Sequence, residues 1–85
     1  MDYFQQYELM KKFRKSVPIN SIWRNKNINF KEFRYKVIAM YLSDIYYEGQ
    51  VFIRYEMTNI DDPYFFNTGN CTFLEFTNSL ERLTQ

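Results

Sequence analysis

The sequence predicts an α+β fold: one N-terminal helix packed on a small, strongly bent antiparallel sheet or barrel of four to five short strands. A helical apolar period is confined to residues 2–16, and an alternating period takes over after Pro18. The connections between the alternating segments are short enough for hairpins.

The helix spans residues 2–16. Tyr3, Tyr7, Met10, Phe13 and Val17 recur at helical spacing and gather on one face, while Glu8 and Lys12 form a favourable i, i+4 pair on the other. Lys11, Lys12 and Lys15 sit toward its C-terminal end, where cations complement the helix dipole. Pro18 ends it. The antiparallel barrel is expected over 20–76. Ser21 to Arg24 reads as a short strand, followed by the polar turn Asn25-Lys26-Asn27-Ile28-Asn29. Phe33 to Leu42 is the clearest strand, with Phe33, Tyr35, Val37, Ala39 and Tyr41 on one face. Ser43 to Gly49 is a turn, and Val51 to Thr58 alternates again, with Val51, Ile53, Tyr55 and Met57 inward. Asn59 to Pro63 reads as a loop and Tyr64-Phe65-Phe66 as a short strand ended by the turn signal Asn67-Thr68-Gly69-Asn70. Cys71 to Phe76 is the last expected strand. A short closing helix, 77–83, is capped by Thr77 or Asn78.

Eighty-five residues make one domain, 1–85, without repeat, linker or low-complexity segment. A chain this short needs an efficient core, and nine Phe, eight Tyr and one Trp supply it. Trp23 reads as a core anchor. Cys71 has no second cysteine to pair with, which fits a reducing cytoplasm. No apolar run approaches the roughly 20 residues of a membrane span, and MDYFQQYELM lacks the pattern of a signal peptide. A cytoplasmic location without membrane contact is the expectation. Frequent Asn, Lys, Ile, Tyr and Phe reflect AT-rich codons, which suggests a low-GC source such as many phages or Firmicutes.

Between Val17 and Leu83, the runs VPINSIWRNK, FRYKVIAMY, VFIRYEM and FLEFTNSLERL resemble a family of small SH3-like barrel proteins of unknown function found in phages and bacteria. The residues that carry the resemblance are Trp23, Arg24 and Lys26, then Tyr35 and Val37, Ile53 and Tyr55, and a closing Phe73, Leu74 and Phe76. The Trp-x-Arg-Pro that often precedes the closing motif is replaced here by Tyr64-Phe65-Phe66. The resemblance implies an SH3-like barrel and carries no chemistry with it.

Without histidine, and with one cysteine, the chain excludes Ser-His-Asp and Cys-His catalysis and His/Cys zinc sites. Two glycines cannot build a glycine-rich phosphate cradle. Asp61-Asp62, the adjacent carboxylate pair, precedes Pro63 in a turn-prone stretch and reads as a solvated loop. The pattern that remains is electrostatic. Residues 1–36 hold nine bases against three acids, a net +6, while residues 37–85 hold two bases against seven acids, a net −5. Such sorting bears on association more than on fold.

These features point to a non-enzymatic interaction protein without cofactor or metal, of phage type, that binds a host or defence protein and masks or remodels a functional site. The candidate partner-binding residues are Lys11, Lys12, Lys15, Arg24 and Lys26 for electrostatic steering, with Tyr46, Tyr47, Tyr64 and Phe65 as contact anchors. Two alternatives stand beside it. Basic residues interleaved with Trp23, Phe30, Phe33 and Tyr35 also suit a nucleic-acid-binding module, although a pI near 7.8 lies below the usual range for one. A self-assembling homo-oligomeric subunit, basic face against acidic face, is the other.

Overall fold

The computed structural model describes residues 3–43 and 50–83. In chain order the elements are α1 (Tyr3–Ser16), β1 (Ile22–Asn25), a 3-10 turn (Ile28–Phe30), β2 (Phe33–Ser43), β3 (Gln50–Asn59), β4 (Asp62–Thr72), α2 (Phe73–Ser79) and β5 (Leu80–Arg82). The strands form a single antiparallel sheet in the order β4-β3-β2-β1-β5. The fold is α+β, as the sequence predicts. The barrel is not closed: β4 and β5 are the two edges and do not pair with each other.

Helix α1 buries Val17 just beyond its last turn and lays Leu9, Met10 and Phe13 against the core. Tyr7, expected on that face, is 63% exposed. The helix is rotated so that Leu9 takes its place, since a leucine enters an apolar interior without a hydroxyl to satisfy. Beyond Pro18, Asn20 adopts a left-handed φ of 73°, and this residue type tolerates that region well. The turn lets Asn20 N–H donate to Val37 O at 2.7 Å and Ser21 O accept from Val37 N–H at 3.0 Å.

Strand β2 contains the main irregularity of the sheet. Val37 faces Tyr55 and Ala39 faces Arg54, so Ile38 is an extra residue in the ladder. Past this bulge the parity inverts. Met40 and Leu42 join Tyr35 and Val37 on the inner side, while Tyr41, expected on one face with Tyr35 and Val37, turns outward and stacks on Phe52 at 5.8 Å. Strand β3 keeps the expected phase, with Val51 and Ile53 buried and Tyr55 and Met57 packed against the core.

The C-terminal third departs from the sequence reading. Ile60 and Asp61 alone turn β3 into β4, so Asp62 and Pro63 begin a strand. Pro63 is tolerated there because β4 is an edge. Asn67 to Asn70 is not a turn: β4 runs through it without a break, and each of those residues faces a β3 partner. Of the strand expected over Cys71–Phe76, Cys71 and Thr72 are the end of β4, whereas Phe73 to Phe76 begin α2, whose N-cap is Thr72 and not Thr77 or Asn78. Glu75 N–H donates to Thr72 Oγ1 at 3.2 Å, and that hydroxyl donates to Glu75 Oε1 at 2.9 Å. This reciprocal pair favours helix over strand at Phe73. The expected closing helix over 77–83 is correspondingly the end of α2 followed by strand β5, in which Glu81 and Arg82 pair with β1.

Between the sheet and the two helices lie Val17, Trp23, Tyr35, Val37, Met40, Val51, Ile53, Phe76 and Leu80. Phe76 of α2 meets Trp23 edge-on at 5.0 Å, and Phe73 meets Phe13 of α1 at 4.4 Å. Aromatic contacts therefore join both helices to one interior. The buried Trp23 Nε1–H donates to Ser21 Oγ at 2.8 Å, and the Ser21 hydroxyl donates to Pro18 O.

Candidate interaction surface

Antiparallel pairing undoes much of the charge sorting seen along the chain. Arg24 of the basic half lies across from Glu81 of the acidic half, with Nε donating to Oε1 at 2.7 Å. Lys36 lies across from Glu56. A cleft of about 640 Å³ opens where the β1–β2 and β3–β4 connections meet, and its walls carry Arg24, Lys26, Lys31 and Arg34 beside Glu32, Asp61 and Glu81. The two signs are mixed there.

Several cations of this cleft have structural partners. Lys26 Nζ donates to Thr77 O at 3.1 Å, near the C-terminal end of α2, where a cation meets the negative pole of the helix. Arg34 Nη1 donates to Lys31 O at 2.7 Å and Phe33 O at 2.9 Å and so closes the 3-10 turn. Asn27 caps that turn by accepting from Asn29 N–H at 3.0 Å, and Ile60 N–H donates to Glu32 O at 2.8 Å. Arg24 and Lys26, expected to steer a partner, thus hold β5 and α2 to β1.

Helix α1 carries four cations, Lys11, Lys12, Arg14 and Lys15, against one acid, Glu8. All four cations are exposed. Spacings of three, four and three residues place Phe4, Tyr7, Lys11 and Arg14 along one side of the helix, away from Leu9 and Phe13 and bordered by Met10. Phe4 is 72% exposed and Tyr7 63%. Tyr7, Met10, Lys11, Arg14 and Lys15 line a shallow depression of about 220 Å³. An aromatic half and a cationic half therefore share one stripe.

Of the other expected anchors, Tyr64 is almost fully exposed and Phe65 is half-buried, its ring 5.5 Å from that of Phe33. Tyr46 and Tyr47 lie outside the described residues. Sequence reasoning overlooked Phe4 and Arg14 and placed Tyr7 in the core. The signal for all three was the same 3-4-3 spacing, running beside the buried face.

Among the described residues, no three His, Cys, Asp or Glu side chains come together in a way that could hold a metal ion. No helix among them is long and apolar enough to cross a membrane. Cys71 is half-buried beside Glu75. Burial first, then the nearby carboxylate, pushes its thiol up to about 11. Burial likewise raises the Tyr55 phenol, with smaller contributions from Cys71, Tyr35 and Glu75. Both groups stay neutral over the physiological range and offer no poised acid or nucleophile.

No protein-family model, curated protein or solved structure matches the chain.

Proposed function

We propose that this protein acts by recognition and not by catalysis: a cytoplasmic, phage-type interaction module whose α1 stripe docks on a host or defence protein and masks a functional site. The observation that carries the reading is the exposed succession Phe4, Tyr7, Lys11, Arg14 on a helix whose opposite side is anchored in the core. Large exposed aromatics next to a cluster of cations that outnumber the single acid of the helix suit a partner with an apolar pocket rimmed by acids. Glu8 among the cations of α1, and the exposed rings of Phe4 and Tyr7 beside them, favour a protein partner over a phosphate backbone. Kinship with SH3-like barrels belongs to the same proposal. It is supported by a last strand that returns beside the first.

The test is capture from host lysate, with and without nuclease treatment, run with three proteins: the parent chain, Lys11→Glu/Lys12→Glu/Lys15→Glu, and Phe4→Ala/Tyr7→Ala. The expected result is one retained protein that salt releases and that both variants fail to retain. Retention unaffected by either variant, or a complex that nuclease abolishes, would overturn the reading.

A further inference from the structure

Strand β4 is one edge of the sheet and is eleven residues long, whereas the other edge, β5, has three. An edge strand offers a row of unpaired backbone N–H and C=O groups, and proteins usually guard such edges with charges or proline. Here the charged and proline guards stop at Pro63, and beyond it the Tyr64 and Thr68 N–H groups donate only to the side chains of Asp62 at 3.0 Å and Asn67 at 2.9 Å, contacts that a pairing strand would displace. From Pro63 to Thr72 the edge carries no Lys, Arg, Asp or Glu. Two of its rings face solvent, Tyr64 at 94% and Phe66 at 61% exposure.

We propose that the β4 edge pairs with the same edge of a second copy of this chain, antiparallel about a two-fold axis near Asn67. Charge argues for a copy as the occupant. A neutral strand meets itself without any like-charge contact, and it has no charge with which to select an acidic or basic peptide. Centring on Asn67 sets Phe66 opposite Thr68 and, across the irregularity at Pro63–Phe65, which have no β3 partners, brings Tyr64 toward Asn70 and Asp62 toward Thr72, so each aspartate approaches a hydroxyl and not its own copy. The same patch on both copies closes the assembly at two. Tyr64 and Phe66 then gain cross-strand neighbours on their own face of the sheet. This contact is independent of the α1 stripe, so either proposal can fail alone.

Sedimentation velocity on the full chain, over a range of concentrations and salt, tests it. A concentration-dependent dimer that persists between about 0.05 and 1 M salt is expected, because backbone pairing is little screened. Amide exchange within Phe66–Thr72 should slow as dimer forms. Phe66→Lys/Thr68→Lys places lysines directly opposite one another and should raise the dimer dissociation constant about tenfold or more. Leu74→Lys, on an exposed position of α2, should leave it unchanged. Thermal melts show whether each variant folds, and exchange in the unmodified chain decides the matter even where one does not. A monomer up to ~1 mM, a dimer that salt dissolves, a dimer that survives the folded double-lysine variant, or β4 protection that arises only with a foreign strand would each overturn the proposal.

Discussion

Gly69 on β4 lies directly across from Tyr55 on β3, so close that a Cβ at position 69 would stand 2.5 Å from both Cζ and Oη of the phenol. The tyrosine ring is held by Tyr35 at 5.5 Å and Phe76 at 6.1 Å, so it has little room to withdraw. Glycine is present here for a close approach inside a strand and not for a turn.

Gly69→Ala should therefore destabilise the fold by about 1–3 kcal/mol through overpacking. Urea unfolding measures it. In a Tyr55→Ala background the same change should become neutral or slightly stabilising, because the clash is gone and alanine restricts the unfolded chain. Equal losses in both backgrounds would disprove the contact.

Ser21 is buried and accepts the indole N–H of Trp23. Ser21→Ala would leave that donor unpaired in the interior, at a cost of about 1–3 kcal/mol. Unfolding followed by Trp23 fluorescence should show the loss, and Trp23→Phe should make the Ser21→Ala step cheaper.

The Cys71 thiol, pushed to about 11 by burial and then by Glu75, should alkylate slowly at pH 8 and faster as pH climbs toward 11. An unfolded thiol ionises near about 8.5, so the folded state is the more reluctant to lose its proton. Stability from this group is complete below that pH and falls as pH rises from about 8.5 through 11. Glu75→Gln should speed alkylation at pH 8.5, with a thermal melt to separate this from loss of the helix cap.

Thr72 supplies the N-cap of α2, and α2 carries Phe73 and Phe76 to the core. Thr72→Ala should cost about 1 kcal/mol and weaken the near-UV signal of the aromatic cluster, whereas Thr72→Ser should retain most of the stability. Calorimetry distinguishes the two.

Where one period was uninterrupted, the sequence was readable. Val51, Ile53, Tyr55 and Met57 alternate along β3 and all face the core. The phase of β2 was readable only as far as Val37, because Ile38 to Leu42 is apolar on both sides and nothing local marks the extra residue. Thr72-x-x-Glu75 was a visible cap, obscured by an apolar run from Cys71 to Phe76 that also suits a strand. In the same way the cations of α1 were legible as a cluster. The engagement of Arg24 by a glutamate 57 residues away was not.

By itself the sequence determined what acts over a few residues: an N-terminal helix ended by proline, strands with a period of two, an aromatic interior and a cationic helix face. Tertiary structure alone decided the open sheet, the bulge at Ile38, the continuation of β4 through Gly69 and the mixing of charge in the cleft. The physical reason is range. Periodicity and capping are local preferences, whereas register, edge exposure and ion pairing depend on which distant segment lies alongside, and antiparallel pairing brought the acidic half of this chain against the basic one.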